Sequence, residues 1–145
     1  MLSAIIIEDE KLAREVLISL LEQFFGDKIN ILGEASNVKQ GVSLIQKYQP
    51  QLVFLDIQLR GVTGFDLFNH CEEPRSFEVV FTTAHKEHAI KAIRSGAFDY
   101  ILKPIAIDDL SDMLKRLQVH LNTKTKETAK VMPSEEVENI SKQTS

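Results

Sequence analysis

The sequence predicts an α/β protein whose centre is a five-stranded parallel sheet, doubly wound with five helices. Two observations support this prediction. Five short apolar segments alternate with five helical segments over residues 1–121, a pattern typical of helices packed on a parallel sheet. The whole chain has 145 residues, enough for one well-buried core but not for two.

The predicted strands and helices follow one another in strict alternation. The strands are Leu2–Ile7, Ile29–Ala35, Leu52–Leu55, Phe77–Thr82 and Phe98–Leu102. The helices are Lys11–Phe25, Val38–Tyr48, Phe65–Cys71, Glu87–Ser95 and Ile107 to about Leu121. Their boundaries follow from acidic, glycine, proline and capping residues in the linking segments.

The first strand and helix have clear boundaries. The apolar run Leu2–Ile7 stops abruptly at three acidic residues, which is typical of a buried parallel strand that emerges at a polar edge. Apolar residues then recur at steps of three and four, and Gly26 follows the last turn. The apolar face predicted for this helix consists of Leu12, Val16, Leu17, Leu20, Leu21 and Phe24.

The second strand and helix are bounded by weaker signals. Asn30 and Gly33 interrupt the strand, so its apolar pattern is less complete. Ser36 or Asn37 supplies the cap of the helix, and Pro50 prevents the helix from continuing.

The remaining strands and helices are shorter. Leu52–Leu55 is a continuous apolar run, as a strand covered on both faces would be. A loop, Gly61–Gly64, then leads to a short helix. The residues that share one face of the fourth helix are Ala89, Ile90 and Ile93. The apolar stripe of the last helix is Leu110, Met113, Leu114 and Leu117.

A flavodoxin-like strand order, 2-1-3-4-5, fits this alternation with right-handed crossovers. In that order the carboxyl ends of the first, third, fourth and fifth strands surround one crevice. The residues at those ends are Glu8, Asp9, Asp56, Thr83 and Lys103. The sequence therefore predicts three acids, one hydroxyl and one amine at a single edge of the sheet.

This set of side chains suits phosphoryl transfer, with Asp56 as the nucleophile that accepts the phosphoryl group. Clustered carboxylates would bind a hard divalent ion such as Mg²⁺, and the ion would neutralise charge that otherwise repels a phosphoryl donor. The Thr83 hydroxyl and the Lys103 ammonium could then stabilise the oxygens of the transferred group.

Composition indicates the setting of this chemistry. The net charge of −4 gives no electrostatic reason to expect that this segment binds nucleic acid or an anionic membrane. Cys71 is the only cysteine, so no internal disulfide can form. No apolar run approaches the roughly 18 residues that span a bilayer. We expect a cytosolic domain over residues 1–121 and a polar linker or disordered tail over 122–145.

Four motifs, at the ends of the first, third, fourth and fifth predicted strands, resemble the receiver domain of two-component response regulators. The motifs are IIIEDE, FLDIQLRGVTG, FTTAH and DYILKP, and the resemblance covers residues 1–121. It implies a signalling phosphoacceptor rather than an enzyme, with Asp56 phosphorylated by the phosphohistidine of a sensor histidine kinase. It also implies Mg²⁺ held by Asp9, Asp56 and the backbone carbonyl of Gln58, with Glu8 acting through a metal-bound water.

The same resemblance implies roles for five side chains. Lys103 would contact the phosphoryl group, with a cis peptide bond to Pro104. On activation Thr83 would move toward that group and Tyr100 would rotate inward, which changes the output face. His85, together with Gln58, occupies a variable position that tunes the hydrolysis of the acyl phosphate.

The chain departs from the family pattern at two positions. Glu8 stands where Asp is common, which lengthens that arm by a methylene and leaves the metal geometry open. Arg60 stands where Pro is frequent, which leaves the conformation of the loop after Asp56 open.

Longer stretches resemble receivers of the LytTR (LytR/AlgR-type) regulators. These stretches are EDEKLAR and FTTAHKEHAIKAIRSGAFDYILKPI. The resemblance implies a C-terminal β-rich DNA-binding domain after a linker, so that DNA is a partner only through that domain, which this chain lacks. We interpret the chain as a shortened regulator rather than a stand-alone receiver, and we leave a homodimer on phosphorylation open.

Two other functions compete with this interpretation. A Mg²⁺-dependent phosphatase on a similar sheet usually has a second Asp two residues after the nucleophile, and that position here is Gln58. A pseudo-receiver that binds a partner without phosphorylation is disfavoured by the presence of Asp56, Thr83 and Lys103. The histidines show no metal-ligand spacing with Cys71, and His85 is the one that we expect at the site.

Overall fold

The structure, a computed structural model, describes residues 1–59, 61–69 and 76–131. The strands are β1 Leu2–Ile7, β2 Ile29–Ala35, β3 Leu52–Asp56, β4 Gln58–Leu59, β5 Val62–Thr63, β6 Glu78–Thr83 and β7 Asp99–Leu102. The helices are α1 Lys11–Phe25, α2 Val38–Tyr48, α3 Gly64–Asn69, α4 Ala89–Arg94 and α5 Ile107–Val131, and a 3₁₀ turn covers Lys86–His88.

The main sheet is parallel, and its strand order is β2-β1-β3-β6-β7. Strands β4 and β5 form a separate antiparallel hairpin. Without that hairpin, the order in chain sequence is 2-1-3-4-5, so the predicted flavodoxin-like fold with five helices is confirmed. Strand β1 pairs with β2 on one side and β3 on the other, which brings the carboxyl ends of β1 and β3 together.

The chain divides into two compact units, Met1–Asp109 and Leu110–Ser145. The first unit contains the whole sheet, and its central strands β1 and β3 are buried almost throughout, as expected of inner strands of a parallel sheet. In the second unit, the apolar residues predicted for helix α5 are buried: Leu110, Met113, Leu114 and Leu117. In the part of the chain that the structure describes, no helix is long and apolar enough to cross a membrane.

Most element boundaries agree with the sequence prediction, and local chemistry explains them. The Asn37 side chain, one of two predicted caps, accepts a hydrogen bond from the Gln40 N–H at 2.9 Å. Helix α2 ends at Tyr48, two residues before Pro50, as predicted. Cys71, the predicted end of the third helix, and Arg60 lie outside the described residues.

The predicted apolar face of helix α1 is partly wrong. Leu12, Val16 and Phe24 are 71%, 49% and 48% exposed, whereas the buried residues are Leu17, Leu21 and Phe25. Two apolar rows with steps of four run along this helix, and either could satisfy the helical period. Contact with β2 selects one row, so the other row stays at the surface.

Helix α4 is shorter than predicted because a 3₁₀ turn replaces its first residues. Ile90 and Ile93, predicted on one face with Ala89, are 64% and 63% exposed, and the buried residue is Ala92. A small side chain at position 92 allows the short helix to approach β7 closely. Gly96 follows the helix with φ +88°, as expected of a residue that terminates it.

Helix α5 continues to Val131, ten residues beyond the predicted end near Leu121. Residues 122–131 lack the apolar stripe that predicted the helix, but they contain no glycine or proline. They include three lysines, one glutamate and one alanine, which are good helix formers, together with three threonines. The loss of the apolar stripe in the sequence therefore did not mark the end of the helix.

Gly64 begins helix α3 directly beneath the backbone of Asp56. Its N–H donates to the Ile57 carbonyl oxygen at 2.6 Å, and a Cβ at position 64 would overlap the Asp56 carbonyl oxygen. Only glycine therefore allows this close approach of the two backbone segments.

We predict that Gly64→Ala destabilises the protein by about 1 to 3 kcal/mol, because the added methyl must displace backbone atoms. Chemical unfolding by urea would measure the change. Gly61→Asn in the same loop is the matched control, since position 61 has open space around it and Asn tolerates a positive φ. Equal stability of Gly64→Ala and the parent chain would contradict the prediction.

Candidate functional site

Asp56 is the last residue of β3, and the backbone holds its side chain at the carboxyl edge of the sheet. The residue is 4% exposed and pairs with Thr82 of β6 in the strand register. The Gln58 N–H donates to Asp56 Oδ1 at 3.1 Å, and the Ile57 N–H donates to the Thr82 carbonyl at 3.0 Å. These bonds fix the carboxylate beside β6.

Two further acids lie beside Asp56. Ile7 of β1 is paired with Leu55 of β3, so the residues that follow them, Glu8 and Asp56, emerge next to each other. A carboxylate oxygen from each of Glu8, Asp9 and Asp56 lies within 4.8 Å of the other two. Glu8 is as deeply buried as Asp56, whereas Asp9 is partly exposed.

Lys103 brings a positive charge to this acidic cluster. Its Nζ lies 2.6 Å from Glu8 Oε1 and 3.5 Å from Asp56 Oδ2. The Lys103 N–H donates to the Thr83 carbonyl at 2.7 Å, which ties the chain after β7 to the end of β6. The peptide bond between Lys103 and Pro104 is cis.

The three groups change one another's acidity. Burial and the hydrogen bond with Glu8, reinforced by the charge of Glu8, raise the pKa of the Asp56 carboxyl to about 7. For Glu8, burial alone would raise the pKa, but hydrogen bonds with Asp56 and Lys103 outweigh burial and lower it. The pKa of the Lys103 ammonium is raised: burial opposes this, but the contacts with Glu8 and Asp56 prevail. At neutral pH a partly protonated Asp56 thus faces an ionised Glu8 and a charged Lys103.

Arg14 supports this arrangement, although the sequence motifs did not predict its role. Its Nη1 donates to the Glu8 carbonyl oxygen at 2.7 Å, and its Nε donates to Glu34 Oε1 at 2.8 Å. The side chain therefore links helix α1 to the ends of β1 and β2. The sequence offered one signal for this role: a cationic residue lies one turn into the helix that follows the acidic end of β1.

Thr83 is the last residue of β6 rather than the first residue after it. Its buried hydroxyl accepts a hydrogen bond from the His85 N–H at 3.0 Å and lies 3.0 Å from His88 Nδ1. The sequence pattern predicts His85 at the site but does not predict His88. The sequence did not predict the 3₁₀ turn, and this turn brings His88 back to the end of β6.

The other predicted site residues differ in exposure. Gln58 begins the β4–β5 hairpin, and its side chain is exposed. His85 is half-buried, and its Nδ1 lies 3.6 Å from Glu87 Oε2. Tyr100, in β7, is half-buried and packs against the core cluster of the sheet.

The donor set at this edge fits a hard divalent cation. Three carboxylates can each offer an oxygen ligand within a small volume, and Mg²⁺ binds through one or two carboxylates while it keeps several waters. The three acids offer only carboxylate oxygens, whereas softer metals prefer nitrogen or sulfur ligands. This set of ligands therefore does not favour a softer metal.

A model of the response regulator receiver domain matches residues 4–115. This chain belongs to the response regulator receiver domain family. A response regulatory protein of Vibrio cholerae is 40% identical over 117 residues, which cover 81% of this chain and 48% of that protein. The transcriptional regulatory protein BtsR of Escherichia coli K12 is 39% identical over 118 residues, which cover 81% of this chain and 48% of that protein.

Solved receiver structures have the same fold. The response regulatory domain of mrkE from Klebsiella pneumoniae has a TM-score of 0.73 and 32% identity, with 83% of this chain and 98% of that one covered. A LuxR-family response regulator from Staphylococcus aureus has a TM-score of 0.71 and 26% identity, with 80% and 98% covered. The receiver chain spans about half the length of the curated relatives that it matches.

We predict that Asp56→Asn stabilises the metal-free receiver at pH 8 and that this gain shrinks by pH 5. The folded-state pKa of Asp56 is raised to about 7, so its contribution to stability is present at low pH and is lost as pH rises through that value. The gain at pH 8 should be about 1 to 3 kcal/mol. Urea unfolding in EDTA at both pH values would measure it.

Asp27→Asn is the control for this prediction, because Asp27 is an exposed acid outside the site. It should change stability by less than about 0.5 kcal/mol at either pH. A gain for Asp56→Asn that is equal at pH 5 and pH 8 would contradict the assigned acidity of Asp56.

Proposed function

We propose that this receiver is the phosphoacceptor of a two-component pathway, in which Asp56 takes a phosphoryl group from the phosphohistidine of a sensor histidine kinase. The observation that carries the proposal is the position of Lys103 Nζ, 2.6 Å from Glu8 and 3.5 Å from Asp56. A buried carboxylate, a second acid and an ammonium thus meet at the edge where open α/β sheets bind ligands.

In the proposed transfer, an ionised Asp56 oxygen attacks the phosphorus atom of the phosphohistidine. The new O–P bond forms as the P–N bond breaks, and the electron pair of that bond stays on the departing imidazole nitrogen. Lys103 would bind an oxygen of the transferred group, since its ammonium already lies 3.5 Å from Asp56 Oδ2. The protein thereby supplies alignment and charge stabilisation, which are its main contributions in phosphoryl transfer.

Glu8, Asp9 and Asp56, with the backbone carbonyl of Gln58, would hold Mg²⁺, which supplies positive charge for the attacking carboxylate and the phosphoryl oxygens. With its pKa raised to about 7, Asp56 is only partly ionised at neutral pH, and a bound cation would increase the ionised fraction. A nearby positive charge favours the ionised form, which is the form that can attack. Gln58 and His85 flank the site and would tune how fast the acyl phosphate hydrolyses.

The proposed output is a change in the surface around Tyr100. Thr83 would move toward the phosphoryl group, and the half-buried Tyr100 ring would rotate inward, so that one covalent event selects a second conformation. The Escherichia coli relative is named a transcriptional regulatory protein, which supports transcription control as the output. DNA binding would belong to a LytTR-type domain C-terminal to the receiver.

We predict that incubation with acetyl phosphate and Mg²⁺ adds one phosphate to the receiver and that Asp56→Asn abolishes the gain. Lys103→Met should reduce the rate at least about tenfold, because an ammonium that stabilises the transferred group is removed. Intact-protein mass spectrometry over time would measure both effects. Asp27→Asn is again the matched control, and it should be phosphorylated at the parent rate.

A phosphate gain that persists in Asp56→Asn would contradict the assignment of the nucleophile. Turnover of many equivalents of a phosphate ester would instead favour a phosphatase, since a phosphoacceptor retains the group on its own side chain. EDTA should abolish the gain at neutral pH, and labelling at an unchanged rate in EDTA would contradict the role of a divalent cation.

A further inference from the structure

The Thr83 hydroxyl contacts the His88 side chain as well as the backbone of His85. Thr83 is 1% exposed, and its Oγ1 lies 3.0 Å from the Nδ1 atom of His88. The same oxygen accepts the His85 N–H at 3.0 Å. A hydroxyl has one donor and two acceptor sites, so these two contacts use most of its hydrogen-bonding capacity.

The His88 ring is held in place by neighbours of its own. Its ring packs edge-on against Phe65, with centroids 6.3 Å apart and planes at 89°, and against His85 at 5.5 Å. Phe65 in turn packs on the buried Phe81 ring at 4.8 Å. The His88 N–H donates to the His85 carbonyl at 3.1 Å and closes the 3₁₀ turn. The ring position is therefore set by core packing and by the turn.

Both tautomers of His88 restrain Thr83. If Nδ1 carries no proton, the Thr83 O–H donates to it, and the hydroxyl cannot at the same time donate to a phosphoryl oxygen. If Nδ1 carries a proton, the ring donates to Thr83 Oγ1. In both cases, a displacement of the hydroxyl away from the ring breaks one hydrogen bond.

We propose that His88 is a positioning residue that holds the Thr83 hydroxyl in the resting receiver and so opposes its movement toward a phosphoryl group on Asp56. This inference rests on the proposed function, because it concerns the residue that responds to phosphorylation. Loss of the His88 nitrogen removes the restraint and makes the activated conformation easier to reach. The free energy needed to move Thr83 toward the phosphoryl group thus depends on a residue outside the acidic cluster.

Beryllofluoride, an analogue of the phosphoryl group, allows the proposal to be tested on the whole chain with Mg²⁺. His88→Phe keeps a ring of similar size against Phe65 but removes Nδ1. We expect this variant to bind beryllofluoride about 2- to 10-fold more tightly than the parent, which corresponds to the loss of one hydrogen bond. His88→Asn, which retains a polar group near the position of Nδ1, should bind within about twofold of the parent.

The gain in affinity must depend on Thr83 if the proposal is correct. In a Thr83→Ala background, His88→Phe should leave beryllofluoride affinity unchanged, because the restrained hydroxyl is absent. His120→Phe on helix α5 is a control for the substitution itself and should also leave affinity unchanged. Isothermal titration calorimetry would measure all of these affinities. Unchanged or weaker binding by His88→Phe, or an equal gain in the Thr83→Ala background, would overturn the proposal.

The resting protein provides a second measurement that needs no ligand. Unfolding of the parent, His88→Phe, Thr83→Ala and the double variant in EDTA forms a double-mutant cycle. We expect the two substitutions to be coupled by about 2- to 10-fold in the unfolding equilibrium constant. Zero coupling would overturn the His88 restraint. Coupling in a parent chain that binds no beryllofluoride and takes no phosphate would support the restraint and overturn the proposed function instead.

Discussion

Two buried carboxylates share one ammonium at the carboxyl edge of the sheet, and the arrangement of the site depends on this imbalance of charge. Burial of an uncompensated carboxylate costs several kcal/mol. Lys103, 2.6 Å from Glu8, compensates one of the two negative charges. The other charge is reduced in part, because burial raises the pKa of the Asp56 carboxyl to about 7. Asp56 is therefore only partly ionised at neutral pH, and a further positive charge at this edge would favour its ionised form.

Backbone pairing produces this imbalance from residues that are far apart in sequence. The register of β1 with β3 brings Glu8 beside Asp56. The hydrogen bond from the Lys103 N–H to the Thr83 carbonyl brings the end of β7 to the end of β6. Strand pairing fixes every second side chain to one face, so a shift of one residue in either pairing would carry a charged group away from the cluster. The site is thus a direct consequence of the fold.

The sequence predicted the features that depend on strand ends and failed for those that depend on packing between elements. The apolar runs before Glu8, Asp56 and Lys103 marked the strands, and the strand order then implied a shared edge. The exposed row on helix α1 was not predictable, because two apolar rows satisfy the same helical period and only contact with β2 selects between them. The β4–β5 hairpin has two residues in each strand, too few for alternation to be detected.

His88 and Arg14 show a further limit of prediction from sequence. Each acts through a hydrogen bond to a residue of the site, at 3.0 Å to Thr83 Oγ1 and 2.7 Å to the Glu8 carbonyl. Motif spacing identifies residues at the strand ends but not the side chains that hold them. Such contacts arise from the path of a turn or the orientation of a helix, which residue types alone do not specify.

The most direct test of this account is the titration of the Asp56 side-chain carboxyl by carbon-13 NMR in the metal-free receiver. The charge arrangement at the edge predicts a midpoint at about pH 7, with Glu8 ionised well below that pH. A midpoint in the ordinary range of an aspartate, near pH 4, would contradict the account, because burial beside Glu8 would then have no net effect on the acidity of Asp56.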